Sequence, residues 1–327
     1  MSKMRAVQIF EAGNADVLTV AEIPTPEPGA GQLLIKISWA GINYIDIYQR
    51  SGKYPMDYPA TLGLEGSGEV VAVGSKDSNF KIGDRVCWAW GQGSYAEFTL
   101  VNEDKAFKVP DGVSMDVAAA AMLQGLTAHY LVTSVYKAKA GDFALVHAAA
   151  GGVGLLLCQM LKAKGVRVIG TVSSAQKQER AMAAGAEFVI RYDQDDFVKK
   201  VAEITQGNRC QVVYDGVGAT TFEGSLNCLA IRGTLALFGS SSGAVPPFDL
   251  QRLNALGSLV VTRPSLINFI QTAEELNWRC NEMFEEIISG RLDIEISQRY
   301  ELADAKQAHL DLESRATSGK LLLKIAG

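Results

Sequence analysis

Two hydrophobic patterns divide the chain. Up to about residue 124, short segments alternate apolar and polar residues with the two-residue period of half-buried strands, and turn-forming residues separate them. Beyond residue 142, apolar runs of strand length alternate with helical stretches. The first pattern predicts a β-rich region. The second predicts a parallel, doubly wound sheet, so the predicted fold class is α/β.

The predicted elements define three segments. A buried helix is expected over 116–123, and a second helical run over 127–136. Strands are predicted at 143–148, 167–172, 188–192, 211–217, 234–240 and 258–263, with helices near 152–164, 175–184, 195–206 and 220–229. A long amphipathic helix over 266–289 precedes a strand, a helix and a strand. We expect a first domain over 1–124, a second over 125–265, and a segment, 266–327, that rejoins the first.

Composition and charge narrow the class of protein. The 327 residues suit about two domains, and the net charge of −5 lacks any block of like charges that would recruit nucleic acid or an anionic membrane. No apolar run reaches the roughly 18 residues needed to cross a bilayer, and the first residues enter a strand, so we expect a cytoplasmic protein. The five cysteines and three histidines are dispersed, which predicts neither a disulfide framework nor a metal site.

A glycine-rich turn follows the first strand of the second domain. Phe143–His147 has the pattern of a buried strand, Ala148–Gly154 that of a phosphate-binding turn, and Leu155–Lys164 that of a helix. Such a turn lets backbone amides approach a pyrophosphate at the N-terminus of the helix. The motif alone is weak, but a second strand, Val166–Val172, follows at the spacing of a βαβ unit. The spacing of Ala149, Gly151 and Gly154 predicts a dinucleotide site at this turn.

The end of that second strand indicates which dinucleotide binds. A site for NAD carries an acidic residue about 20 residues after the glycines, and there is none between Val166 and Gln178. Ser173, Ser174 and Lys177 are found there instead, and they predict contacts to the 2′-phosphate of NADPH. The alternative is that Lys177 belongs to a solvated helix face. The ratio of NADPH to NADH affinity separates the two interpretations.

Several local motifs occur in order along the chain: Gly41–Asp46, Gly63–Gly68, Gly125–Ala128, His147–Gly154, Val213–Gly218, Phe238–Gly243 and Thr262–Leu266. Together they resemble the NADPH:quinone oxidoreductases, the zeta-crystallin-like branch of the medium-chain dehydrogenase/reductase superfamily. The resemblance covers essentially the whole chain. It implies a GroES-like, β-rich catalytic domain and a Rossmann domain with a doubly wound parallel sheet that binds the cofactor.

The chain departs from the zinc alcohol dehydrogenases of that superfamily. Those enzymes carry a catalytic cysteine where this chain has Asn43, and a histidine in the segment that reads Gly63–Gly66 here. Their structural zinc needs four closely spaced cysteines, whereas the region 85–115 contains only Cys87. Leu64, in the segment Gly63–Gly66, cannot ligate zinc, and the amide of Asn43 is a poor replacement for a thiolate. We therefore predict a zinc-independent enzyme.

The resemblance also implies which residues take part in the reaction. A quinone or conjugated enone accepts hydride directly once it is held against the nicotinamide. The candidates are Asn43, Tyr48 and Tyr54, with Thr127 reaching the nicotinamide. For Asn43 the alternative is an Asx turn. For the two tyrosines it is packing in a cleft wall with the hydroxyl in water.

Further cofactor contacts are implied by the resemblance alone. The pyrophosphate would bind at Gly151, Gly152, Val153 and Gly154. Tyr192 would lie near the adenine, and the end of the fifth strand would contribute Phe238, Gly239, Ser240 and Ser241. Arg315 is a further candidate, with a salt bridge to Glu313 as the alternative. We expect the nearby acids Asp46 and Glu65 to be structural, accepting hydrogen bonds from backbone amides.

The primary prediction is an NADPH-dependent reductase of quinones. An enone or alkenal reductase is the close alternative. An NADPH-binding structural or RNA-binding protein is the alternative from another class, and the missing basic stripe argues against nucleic acid. The apolar segment Gly257–Thr262 at the end of the sheet predicts a homodimer, because an uncovered strand edge invites pairing with its copy.

Overall fold

The structure is a computed structural model, and it describes residues 2–325 of the chain. These residues form two compact units. Unit 1 comprises the chain up to Leu126, the segment Ile270–Gly290, and the segment from Ile294 onward. Unit 2 comprises Thr127–Phe269 and Arg291–Asp293.

The strands of the described residues, in chain order, are β1 (Lys3–Ile9), β2 (Thr19–Pro24), β3 (Gln32–Ile42), β4 (Ala60–Thr61), β5 (Glu65–Val73), β6 (Arg85–Ala89), β7 (Phe98–Asn102), β8 (Ala106–Lys108), β9 (Phe143–Val146), β10 (Arg167–Val172), β11 (Phe188–Arg191), β12 (Cys210–Asp215), β13 (Leu229–Leu237), β14 (Val260–Thr262), β15 (Ile296–Glu301) and β16 (Lys320–Lys324). The α-helices are α1 (Tyr44–Arg50), α2 (Met115–Tyr130), α3 (Gly152–Ala163), α4 (Ala175–Ala183), α5 (Phe197–Ile204), α6 (Phe222–Asn227), α7 (Gln251–Ala255), α8 (Ala273–Ile288) and α9 (Ala305–Glu313). Within the described residues, no helix combines the length and hydropathy needed to span a bilayer.

Unit 1 is built around β3. Alternate residues of this strand, Leu33, Ile35 and Ile37, are fully buried, as the two-residue period of a half-buried strand requires. β3 pairs antiparallel with β5, β7 and β16, and the seven-stranded sheet follows the order β15-β16-β3-β5-β6-β8 with β7 on β3. A smaller sheet has the order β2-β1-β4. The C-terminal strands β15 and β16 therefore belong to the sheet of the N-terminal region.

Unit 2 contains a six-stranded parallel sheet in the order β11-β10-β9-β12-β13-β14. Numbered from β9, the order is 3-2-1-4-5-6, which is that of the Rossmann fold. The chain leaves the sheet centre in opposite directions from β9 and β12, and the carboxyl ends of these two strands mark the point where dinucleotides bind in such folds. The predicted doubly wound parallel sheet is confirmed.

Three predicted helical boundaries are wrong. The two runs expected over 116–123 and 127–136 are the single helix α2, followed by a π-helical turn, Leu131–Val135. Gly125 does not break the helix, because the missing side chain leaves room for the sulfur of Met283. The amphipathic helix expected from 266 begins at Ala273, where Thr272 accepts a hydrogen bond from the amide of Glu275 and caps it.

The region expected to be all β contains the helix α1. It starts directly after β3, and the pattern of its seven residues is too short to be recognised as helical. The carboxylate of Asp46, in the first turn, accepts the backbone N–H of Asn43 at 2.8 Å and fixes the start of the helix.

Candidate active site

Asn43 lies where β3 ends and α1 begins, and only 4% of its surface is exposed. Its side-chain oxygen accepts hydrogen bonds from Lys320 Nζ at 2.8 Å and from Gln124 Nε2 at 3.2 Å. Its Nδ2 donates to Glu65 Oε1 at 2.6 Å. Because an ammonium only donates and an ionised carboxylate only accepts, these partners determine which atom of the amide is oxygen and which is nitrogen.

Lys320 and Glu65 form an ion pair beneath Asn43. The lysine side chain is 2% exposed and the glutamate side chain 0% exposed. Glu65 also accepts the backbone N–H of Leu123 at 2.6 Å. A Cβ atom at Gly41 would overlap the Glu65 carboxylate, which explains the glycine in the motif Gly41–Asp46. We name this group of residues, Asn43, Glu65, Gln124 and Lys320, the amide cluster.

A second buried chain of hydrogen bonds ends on Asp46. Arg50 lies 3.2 Å from His309 Nδ1, and Tyr95 OH lies 3.2 Å from His309 Nε2. Arginine has no acceptor, so Nδ1 of the neutral histidine accepts and Nε2–H donates to the tyrosine oxygen. Tyr95 in turn donates to Asp46 Oδ2 at 3.0 Å. The donors of this chain all point towards the aspartate.

Burial shifts the pKa values of His309 and Asp46 in this series of hydrogen bonds. It lowers the pKa of His309 to about 3, and the neighbouring guanidinium of Arg50 acts in the same direction. Burial also raises the pKa of Asp46 to about 7, against the opposing hydrogen bonds of the Asn43 amide and Tyr95. The second carboxylate oxygen of Asp46 is buried without a partner among the described residues, which disfavours the charged form further.

The expectation that Asp46 and Glu65 hold backbone amides is confirmed. Asp46 accepts the N–H of Asn43, and Glu65 accepts that of Leu123. Glu313, the partner considered for Arg315, forms an ion pair with Arg50 at 2.8 Å. Arg315 lies in unit 1 after α9, with a left-handed φ of 58°.

The two predicted tyrosines lie on and after α1. The rings of Tyr48 and Tyr54 meet edge to face with centroids 5.5 Å apart, and the backbone N–H of Tyr54 bonds to the carbonyl of Tyr48 at 3.0 Å. Tyr48 is 6% exposed and Tyr54 is 40% exposed. The structure therefore brings Asn43, Tyr48 and Tyr54 together around one helix of unit 1. Thr127 lies in α2 at the start of unit 2 and is 7% exposed.

The glycine turn of unit 2 presents backbone amides. Gly151 is the residue before α3, and as a glycine it has no side chain that could cap the helix. The first intrahelical bond is donated by Leu155, so the amides of Gly152, Val153 and Gly154 have no acceptor within residues 2–325. No acidic residue lies in the first turn of the helix. Free amides and the positive end of the helix dipole fit a pyrophosphate.

Gly154 is required for a different reason. A Cβ atom there would overlap the carbonyl oxygen of Ala148 and would lie 2.8 Å from the Cα of Ala149. At Gly151 the nearest atom to a Cβ would be the carbonyl oxygen of Ala148, at 3.2 Å. Ala148 itself has a left-handed φ of 52°, a strained conformation for alanine that tightens the turn.

The predicted 2′-phosphate residues lie at the carboxyl end of β10. Ser174 caps α4 by accepting the amide of Lys177 at 3.3 Å, which leaves its O–H as a donor. Burial lowers the pKa of Lys177, and the charge of Arg180 adds to this effect. The backbone of Tyr192, 54% exposed, bonds to the carbonyl of Val172, so the structure brings Ser173, Ser174 and Tyr192 to one edge of the sheet.

The ends of β12 and β13 are joined at the same edge. The amides of Phe238 and Gly239 donate to the carbonyl of Asp215 at 2.9 and 3.3 Å. The amide of Ser241 donates to the carbonyl of Gly216 at 3.3 Å, with Ser240 between them in the chain. Backbone hydrogen bonds to the end of β12 therefore hold the segment that contains the four predicted cofactor residues, Phe238, Gly239, Ser240 and Ser241.

A buried polar network holds the β12 end in place. Ser225 donates to Asp215 at 2.9 Å, so its oxygen accepts from His147 Nε2 at 3.0 Å, and Thr171 donates to His147 Nδ1 at 2.9 Å. Burial lowers the pKa of His147, so the ring is neutral. Because this serine donates to the aspartate and not to the histidine, the network is not a nucleophilic triad.

The residues around Asn43 do not fit a zinc ion. The position of the catalytic cysteine is an amide already bonded to an ammonium, and the next ligand position is the buried leucine Leu64. A divalent cation beside the Lys320 ammonium would be repelled by it. Within residues 2–325, no group of three or more histidine, cysteine or acidic side chains is arranged to hold a metal.

The sequence did not reveal Lys320 or Gln124 as part of the site. Lys320 lies 277 residues from Asn43 in the chain, on the last strand. The sequence offered one signal: Lys320 begins the apolar segment Lys320–Lys324. A lysine that is buried with such a segment needs a partner for its charge.

Unit 1 has a GroES-like fold. Unit 2 has a Rossmann fold whose phosphate-binding turn presents backbone amides. Together they identify the protein as a medium-chain dehydrogenase/reductase. The model of the alcohol dehydrogenase GroES-like domain matches residues 29–111, and the model named zinc-binding dehydrogenase matches residues 152–278. The quinone oxidoreductase of Pseudomonas aeruginosa is 44% identical over 321 residues, which cover 98% of this chain and 99% of that protein. The chain belongs to the quinone oxidoreductase family, and the resemblance inferred from its motifs is confirmed.

Two solved structures are similar along their whole length. The crystal structure of Escherichia coli quinone oxidoreductase complexed with NADPH has a TM-score of 0.96 and 44% identity, covering 98% of this chain and 100% of that one. A mycobacterial protein complexed with NADPH has the same TM-score and 51% identity, with the same coverage.

Proposed function

We propose that this protein is an NADPH-dependent quinone reductase that works without a metal. The observation that carries the proposal is the bare phosphate-binding turn of unit 2 in a chain that belongs to the quinone oxidoreductase family. The NADPH complexes of two similar structures support the choice of cofactor. Ser174 and Lys177, at the end of β10, supply a donor and a cation where NAD sites carry an acid.

When bound, NADPH supplies a hydride. The amides of Gly152, Val153 and Gly154 would hold its pyrophosphate, and Ser173, Ser174 and Lys177 its 2′-phosphate. Tyr192, Phe238, Gly239, Ser240 and Ser241 are further proposed contacts, as are Thr127 and Arg315. These residues bind and orient, which supplies much of the rate when both reactants are held in position.

The acceptor gains negative charge on an oxygen during the reaction. Asn43, Tyr48 and Tyr54 are the proposed donors to that oxygen. Water is the proposed source of the proton that completes the hydroquinone. The ion pair beneath Asn43 supports a metal-free site.

The test is anaerobic NADPH oxidation against naphthoquinones, benzoquinones and enones, with NADH as the second reductant. We expect turnover of quinones with a clear preference for NADPH. Turnover of enones with none of any quinone would establish the alternative reductase, which the names of the relatives do not favour. NADPH binding without turnover of any acceptor would point to the structural class.

Two further features are proposals. β14 lies at the edge of the six-stranded sheet, and its Val260 is 51% exposed, which supports pairing with a second copy in a homodimer. Light scattering would contradict the dimer if it gave the mass of one chain. The five cysteines are unpaired thiols, which supports a reducing compartment such as the cytoplasm.

A further inference from the structure

The ammonium of Lys320 is fully engaged inside unit 1. It donates to the carbonyl of Ile42 at 3.2 Å, to Asn43 Oδ1 at 2.8 Å, and to the carboxylate of Glu65. These three acceptors match the three hydrogens of an ammonium. Because all three hydrogens are donated to acceptors of the protein, Lys320 has none left for a ligand.

Asn43 keeps one N–H on Nδ2 that can donate to a ligand. Its oxygen accepts from Lys320 and from Gln124, and one hydrogen on Nδ2 goes to Glu65. The second hydrogen on Nδ2 has no partner in the part of the chain that the structure describes. Hydrogen bonds along a chain polarise one another in a low dielectric. An ammonium on the oxygen of an amide therefore strengthens its remaining N–H as a donor.

We propose that the Lys320 ammonium acts through the Asn43 amide as the electrophile that stabilises charge on the acceptor oxygen, in the role that a metal cation has in metal-dependent relatives. Lys320 and Glu65 are positioning residues, and Asn43 is the group that touches the acceptor. The inference rests on the proposed function.

The reaction balances without another reagent. The quinone would gain a hydride, which is one proton with two electrons, and would become a hydroquinone anion; bound NADPH would supply that hydride and be oxidised to NADP⁺. The anion then takes a proton from water. The negative charge forms on the acceptor oxygen before that proton arrives, and this is the moment at which a polarised N–H stabilises it.

The composition of the amide cluster favours this role over a purely stabilising one. A buried ion pair is weak support for stability, because the cost of removing both charges from water offsets their attraction. Glu65 balances the charge of Lys320 and fixes the Asn43 amide through Nδ2, so the cation is held without leaving the site positive.

The test uses the full-length enzyme with the variant Glu65→Gln/Lys320→Met, which removes both charges and leaves no unpaired one. Lys320→Gln is the second variant, since it keeps a donor to Asn43 but no charge. Arg279→Met is the matched control, because Arg279 is another 2%-exposed cation of unit 1, paired with Glu275 in α8. The kcat and KM are measured across quinones of graded electron affinity, and melting is recorded for each protein.

A second measurement does not depend on turnover. The side-chain N–H resonances of Asn43, assigned by comparison with Asn43→Asp, report the polarisation of the amide directly. We expect them to move upfield in both Lys320 variants and to stay in place in Arg279→Met.

We expect kcat to fall at least about tenfold in both Lys320 variants, more for the weakest acceptors, with the KM for NADPH within about twofold. The inference is overturned if folded variants keep kcat within about threefold, if the loss is equal across acceptors, or if the Asn43 resonances do not move. Wild-type enzyme that reduces no quinone would overturn the proposed function instead, and the resonances would still decide whether Lys320 polarises Asn43.

Discussion

The two units prepare their candidate sites in opposite ways. In unit 1, the amide of Asn43 is surrounded by charged and polar side chains, and its orientation is fixed by partners from three distant parts of the chain. In unit 2, the phosphate-binding turn uses no side chain at all, and its donors are the backbone amides at the start of α3. The site in unit 1 depends on charged and polar side chains that the fold brings together. The site in unit 2 depends on backbone amides that no side chain covers.

This difference between the two sites determines which kind of substitution disrupts each of them. A backbone site is disrupted by added atoms, since there is no side chain to remove. A side-chain site is disrupted by removing or neutralising a partner, because the remaining groups stay buried without one. The predictions below test this contrast.

The largest expected effect is on the pH dependence of stability through Asp46. The pKa of about 7 in the folded state lies above the ordinary value of 3.8, so the folded protein binds the extra proton. The stability that this proton contributes is complete below pH 3.8 and is lost as the pH rises to about 7. Relative to Asp46→Asn, the wild type should lose on the order of 4 kcal/mol of unfolding free energy between pH 4 and 8.

Denaturant unfolding of both proteins across this pH range measures the difference. Asp57→Asn, which changes an exposed carboxylate of the same unit, is the matched control. A difference between wild type and Asp46→Asn that is constant with pH would contradict the account of the buried carboxyl.

The second prediction concerns added atoms in the turn. Gly154→Ala makes a Cβ overlap the carbonyl oxygen of Ala148 and places it 2.8 Å from the Cα of Ala149, so the turn must open. We expect NADPH affinity to fall on the order of 100-fold, equivalent to about 2.7 kcal/mol. Gly151→Ala, with its nearest contact at 3.2 Å, should lose much less. Titration of cofactor binding measures both, and equal losses would show that close packing is not what Gly154 provides.

The third prediction separates NADPH recognition from helix capping. Ser174→Asp keeps an acceptor for the amide of Lys177 but places a negative charge where the 2′-phosphate is proposed to bind. NADPH affinity should fall on the order of 10-fold or more, whereas NADH affinity should be unchanged. Ser174→Ala removes the cap without adding charge and is the matched variant. An unchanged ratio of the two affinities in Ser174→Asp would favour a solvated helix face for this segment.

The smallest expected effect is at Ala148. Its φ of 52° strains an alanine, and glycine adopts this conformation freely. The relief is partly offset by the greater freedom of glycine in the unfolded chain, so Ala148→Gly should raise the unfolding free energy by less than about 1 kcal/mol. Thermal unfolding tests this, and a clear loss of stability would indicate that Ala148 contributes packing that its dihedral angle does not reveal.

The sequence predicted the fold well where the signal is local. The alternation of strands and helices in unit 2 and the glycine turn at Ala148–Gly154 are repeated patterns that a short window contains. The errors lie where tertiary contacts decide. Gly125 sits inside a continuous helix because Met283 fills the space above it, and α1 is stable through its cap on Asp46.

The candidate site divides in the same way. Ser173 and Ser174 were predicted from the local sequence after β10, and Tyr192 from the resemblance to the family; the structure brings the three residues to one edge of a sheet. Their role in binding stays a prediction, as does that of Asn43, Tyr48, Tyr54 and Thr127. The sequence analysis did not identify Lys320, because its place under Asn43 follows from the pairing of β16 with β3.

The most direct test of the metal-free mechanism is turnover by enzyme whose metal content has been measured after treatment with a chelator. The account predicts full NADPH-dependent reduction of naphthoquinone by a sample containing far less than one metal ion per chain. Activity that disappears with the chelator and returns with one equivalent of Zn²⁺ would contradict it.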